Sequence, residues 1–133
     1  MPRLSPLLVL ALFLPVAQAA SPNEPALPTL LQQVARDSSV GTPRAINADI
    51  LDQGYTAEGD ELINHLSVRA AHAEQMRAHP DSMRQQLAAS VCANHGYRRL
   101  LALGARLRYE FSEYPGNRPV ASLAFAKADC GLQ

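Results

Sequence analysis

Two periodicities divide the chain. From Arg44 to Val68, and again from Arg106 to Lys127, apolar and polar residues alternate, the pattern of half-buried strands. Ile46, Ala48 and Ile50 alternate with Asn47 and Asp49, although Asn and Asp are poor strand formers. After the turn-rich GYTAEGDE, Leu62, Leu66 and Val68 alternate with Ile63, His65 and Ser67, so a hairpin turning near Glu58-Gly59-Asp60 is expected. Further on, Leu107, Tyr109 and Phe111 face one way and Arg106, Arg108, Glu110 and Ser112 the other. Pro115-Gly116-Asn117 makes the next turn, and Pro119 to Lys127 returns with Ala121, Leu123 and Phe125 on one face. Pro119 lacks an amide donor and belongs at a strand start or on an edge.

Between the two hairpins the pattern is helical. Ala70 to His79 favours helix until Pro80 interrupts it, and Asp81 or Ser82 can cap a second helix. Met83, Leu87, Val91 and Asn94 recur at helical spacing. Asn94 to Gly96 marks a break, and Tyr97 to Leu103 forms a last helical stretch that buries Leu100 and Leu101 and stops at Gly104. At the other end, Ala20 to Pro28 reads as a flexible leader with three prolines. Thr29 is placed to cap a short helix carrying Leu30, Leu31 and Val34, ending near Arg36 before Asp37 to Pro43 breaks it.

This order predicts an α+β fold, an antiparallel sheet of two β-hairpins packed against helices as an α/β sandwich. The expected core joins Leu107, Tyr109, Phe111, Leu123 and Phe125 to Met83, Leu87, Val91, Leu100 and Leu101. Residues 1–19 read as a signal peptide, 20–43 as the leader and short helix, and 44–133 as a single domain. Arg3 precedes an apolar run from Leu7 to Val16, and Ala17-Gln18-Ala19 offers the small residues of a cleavage site. That run is shorter than the about 20 residues a membrane span needs, so no membrane insertion is expected after cleavage.

Export changes the reading of the two cysteines. In an oxidising compartment Cys92 and Cys130 are expected to pair, closing a loop worth about 4 kcal/mol on the chain-entropy model. Neither carries the CxxC or Cys-His surroundings of a reactive thiol. The chain has 12 Lys and Arg against 12 Asp and Glu, and lacks the basic surplus of a nucleic-acid binder.

Candidate chemistry is sparse. His65, His72 and His79 are evenly spaced, with Met76 between the last two, a combination that points towards copper in an exported protein. But His65 falls on a strand, no carboxylate or cysteine completes a set, and Pro80 ends the helix beside His79, so surface histidines without metal are the expectation. Glu58, Asp60 and Glu61 lack a calcium loop's ligand ladder. No GxSxG, HExxH, Walker or GxGxxG segment occurs, and neither a catalytic residue nor a cofactor is expected. Arg98, Arg99, Arg106, Arg108 and Arg118 cluster with Tyr97, Tyr109 and Tyr114, residue types enriched at interfaces. Arg106, Arg108, Arg118, Tyr109 and Tyr114 are therefore the candidate binding surface, for a carboxylate, a phosphate or an acidic partner. The bland alternative is a solvated face neutralised by Glu110, Glu113 and Asp129.

The second half of the chain resembles a family of small exported proteobacterial proteins, the quorum-sensing-regulated virulence factors. The resemblance rests on Cys92 and Cys130, Arg99-Leu100-Leu101 before Gly104, and Tyr109-x-Phe111. Asn117-Arg118-Pro119 and the terminal Asp129-Cys130 complete it. It implies an α/β sandwich, signal-directed export to the periplasm or medium, and a virulence-associated role under cell-density control, with no catalytic residues. The leading expectation is an exported, non-enzymatic binding or effector protein with a host or envelope protein as partner. The alternatives are a periplasmic assembly factor or inhibitor of another exported protein, and a small-molecule-binding, enzyme-like domain with a pocket between helix and sheet.

Overall fold

Three successive helices separate the two strand pairs, and they decide the topology. The computed structural model describes residues 25–133; the segment read as a signal peptide lies outside the described residues. The elements are α1 (Leu27–Ser38), β1 (Arg44–Ala45), β2 (Ile50–Glu58), β3 (Glu61–Arg69), α2 (Ala70–Ala78), α3 (Pro80–Ala93), α4 (His95–Ala102), β4 (Arg106–Tyr114), β5 (Pro119–Phe125) and a closing 3-10 turn at Lys127–Cys130. The sheet order is β1-β2-β3-β4-β5. The fold is α+β, as the periodicities predict.

The two hairpins do not give a purely antiparallel sheet. β3 and β4 run parallel in unbroken register from Glu61 opposite Arg106 to Arg69 opposite Tyr114. α2, α3 and α4 form a crossover, the kind of long connection that parallel neighbours require. The sheet is therefore mixed, with all the other strand pairs antiparallel.

The first hairpin lies later in the chain than the alternation predicts. Asn47 Oδ1 accepts the amides of Asp49 (2.8 Å) and Ile50 (2.9 Å), bending the chain where a strand was expected and leaving Ile46 exposed. β2 instead runs through GYTAE. It does so because Gly54 sits at φ +106, where the pairing slips between Asp52 and Gly54. A Cβ there would meet Thr42 Oγ1 at 3.1 Å and Ser39 Oγ at 3.2 Å.

The helices start earlier than the capping residues predict. α1 begins at Leu27 with Pro28 in its first turn, so Thr29 lies inside it. It is also no mere lead-in: Leu31 and Ala35 are buried in the common core, and Ser39 Oγ accepts the amide of Tyr55 at 2.8 Å. Pro80 opens α3, with His79 rather than Asp81 or Ser82 at the cap position. Asn94 caps α4, its side chain accepting the amide of Tyr97 at 3.0 Å.

The core lies between the helices and the inward residues Leu62, Leu66, Val68, Leu107, Phe111 and Phe125. Leu101 is fully buried, and Tyr109 meets Phe125 edge-on with ring centroids 6.1 Å apart. Met83 and Leu87, expected in the core, are only half-covered. Cys92, in the last turn of α3, is bonded to Cys130 across a separation of 38 residues. α3 is further held by Arg84, whose guanidinium lies over the Phe125 ring at 4.7 Å and donates to Ala124 O at 3.2 Å.

Candidate functional site

The candidate residues Arg106, Arg108, Arg118, Tyr109 and Tyr114 do not converge. Arg106 and Arg108 project from the sheet face opposite the helices, among carboxylates. Arg108 Nη1 is 3.2 Å from Glu61 Oε1 and its Nε 3.0 Å from Glu110 Oε1, while Glu58 lies 4.0 Å away. Arg106 reaches Glu61 at 3.9 Å. Arg118 sits past the turn, 3.9 Å from Glu113, whose carboxylate is taken up at 2.9 Å by Arg77. That contact raises the Arg77 pKa, chiefly through the hydrogen bond to Glu113. Tyr114 is exposed at the end of β4. Tyr109 points the other way, into the core, because period-two alternation puts it opposite its neighbours Arg108 and Glu110.

The helix side is different. α1 and α4 flank a groove of about 320 Å³ lined by Leu30, Val34, Tyr97 and Leu100, with Asn94 and Arg99 beside them. Nearby, the Tyr55 and Tyr97 hydroxyls are hydrogen-bonded at 3.0 Å. Burial pushes the Tyr55 and Tyr109 pKa values far above that of an ordinary phenol, and Tyr97 adds to both shifts. Arg98 is occupied, donating to Cys92 O at 3.2 Å. Arg99 is exposed, and among the described residues no carboxylate lies within ion-pair distance of it. The sequence places Leu30, Leu31 and Val34 on one face of a short helix; the structure buries Leu31 and leaves Leu30 and Val34 packed at the core's edge, partly open to the groove.

A second opening lies where α2 meets α3. Ile50, Met76, Met83, Leu87 and Phe111 line a cleft of about 240 Å³. Beside it, His72, Met76, His79 and Met83 border an open cavity of about 220 Å³. His65 is not with them; it lies on β3, 2.8 Å from the Thr56 hydroxyl. Among the described residues no three of His, Cys, Asp and Glu are grouped to hold a metal ion.

A family described as "Putative quorum-sensing-regulated virulence factor" matches residues 20–131. The chain belongs to that family. Within this quorum-sensing-regulated virulence factor fold, one solved structure is close: a "putative secreted protein" from Pseudomonas aeruginosa, 64% identical, covering 78% of this chain and 92% of that one, with a TM-score of 0.77. Two distant structures share the fold alone. The pilotin of the Vibrio vulnificus type 2 secretion system is 12% identical over 80% of this chain and 94% of its own (TM-score 0.63). The type II secretion system pilotin of Vibrio cholerae is 17% identical over 78% and 92% (TM-score 0.59). No curated protein sequence matches the chain. No helix among the described residues is long and apolar enough to cross a membrane.

Proposed function

We propose that this family member is an exported, non-enzymatic binding protein that holds an amphipathic segment of another exported or envelope protein in the α1–α4 groove. One observation carries the reading: an apolar groove beside an arginine that no carboxylate of the described chain neutralises. A helix laid in such a groove buries its apolar stripe against Leu30, Val34 and Leu100, and an acidic residue on its flank pairs with Arg99.

Export is read from the apolar N-terminal run and the Ala17-Gln18-Ala19 site. The family match beginning at residue 20 and the Cys92–Cys130 bond support it. The fold shared with two secretion-system pilotins favours a partner that is itself exported, and so an assembly role over a host-directed effector role.

Site-specific photo-crosslinking in the producing cell tests this. A photoreactive residue at Val34 or Arg99 is expected to capture a partner, and one at Ser122 on the outer sheet face is not. Arg99→Glu should abolish the Val34 adduct. Equal capture from both faces, or none from the groove, would overturn the reading.

A further inference from the structure

We infer that the junction of α2 and α3 is a binding site for one soft monovalent metal ion, Cu(I), held by His72, Met76, His79 and Met83. His72, Met76 and His79 follow at i, i+4 and i+7 along α2 and its end, which puts them on one face. The residue that the one-dimensional pattern left out is Met83. Pro80 ends α2, α3 begins at once, and the Met83 amide bonds back to His79 O at 3.1 Å. Met83 thereby comes to border the same open cavity as the other three.

The donor set selects the ion. Two imidazoles and two thioethers suit Cu(I); thioethers are poor ligands for calcium or magnesium, which take oxygen donors. Among the described residues neither His72 nor His79 makes a side-chain hydrogen bond to the protein, so their ring nitrogens are uncommitted, whereas His65 is bonded to Thr56. Glu74, the carboxylate on the same helix, is taken by Arg77 at 2.8 Å. Met76 is buried and Met83 half-buried, which shields the sulfur ligands while His79 stays open to an arriving ion.

The test uses Ag(I), which needs no reductant and leaves the disulfide intact. Methionine in the purified protein is labelled at the ε-methyl carbon. Because the chain has only three methionines, the Met76 and Met83 signals are assigned by Met76→Leu and Met83→Leu. One equivalent of Ag(I) is expected to shift both methyl signals together. His79→Gln with Met83→Leu should weaken binding at least about tenfold, since even indirect disturbance of a metal site has effects of that size. His65→Gln with His95→Gln should leave it unchanged. His79→Gln alone, at an exposed position without a side-chain bond, serves where the double variant loses its fold. Methyl signals that move independently, or an affinity indifferent to His79 and Met83, would overturn the site. Cu(I) competition against a coloured chelator then checks the cognate ion, with one equivalent bound by the parent protein and failure of that binding counting against the assignment.

Discussion

The outer face of the sheet and the groove between α1 and α4 both present arginine, yet they are opposite in character. On the sheet, Arg106 stands opposite Glu61 of β3, and Arg108 reaches the same Glu61 and Glu110 of its own strand, so each charge has a local answer. In the groove, Arg99 lies beside apolar side chains and no carboxylate of the described chain approaches it. Exposed ion pairs contribute little to stability and leave little field for a ligand. An unanswered cation beside an apolar surface keeps both for a partner. Clustering of Arg and Tyr along the chain therefore does not tell which arginines are left without a counter-charge; their arrangement in space does.

The comparison can be sharpened by experiment. The disulfide ties α3 to the closing turn that follows β5, on the helix side of the molecule. Replacing Cys92 and Cys130 with Ala is expected to cost about 4 kcal/mol in urea unfolding. Leu101→Ala, which empties the core beneath α4, should cost about 2–5 kcal/mol. In the groove, Val34→Asp with Arg99→Glu should lower partner binding at least about tenfold, or about 1.4 kcal/mol. The circular dichroism melting temperature should fall for Val34→Asp, because Val34 packs against the core edge, and move little for Arg99→Glu alone, so the single variant separates binding from stability.

Alkaline pH separates the two faces again. Tyr55 and Tyr109 lie on the helix side with pKa values raised above the unfolded value of 10.0. Their neutral forms belong to the folded state, so the stability they contribute is complete below pH 10 and falls as pH rises, because the unfolded chain releases those protons first. For Tyr109 the loss is at most about 1.4 kcal/mol per pH unit, and less for the half-exposed Tyr55, where solvent screens the effect. Tyr109→Phe should flatten the decline in urea midpoint between pH 10 and about 11. On the outer face the effects are smallest: Arg106→Ala should cost under about 0.5 kcal/mol in urea unfolding. Arg108→Ala should cost about 1 kcal/mol, because Arg108 stands opposite Ile63, which is buried on the outer face apart from the main core. An Arg108→Ala loss no greater than that of Arg106→Ala would show that the arginine stem shields nothing.

Much of this was legible one residue at a time. β4 runs from Arg106 to Tyr114 as its alternation predicts, and the break at Asn94 falls between α3 and α4. The first hairpin was misplaced because Asn47 makes a local turn that the alternation of Ile46, Ala48 and Ile50 conceals. GYTAE read as a turn because glycine and threonine are ambiguous until the bulge at Gly54 is seen against Ser39 and Thr42. For the candidate sites the limits were similar. Glu110 and Glu113, which answer Arg108 and Arg118, were visible as nearby charges on β4, but Glu61 and Glu58, which also meet Arg106 and Arg108, belong to the facing hairpin and were not. Met83 was visible as a helix-face residue, but not as a neighbour of His72 across the break at Pro80.

By itself the sequence determined the helices and the strands from β3 to β5, which side of β4 and β5 faces inward, and which two cysteines were available to pair. These follow from backbone periods and from the residue types present. Only the tertiary structure decided that β3 and β4 run parallel, which arginines are answered by carboxylates, and which apolar residues of α1 are left open. Those depend on how a crossover of three helices returns the chain to the sheet, and no local period encodes that return.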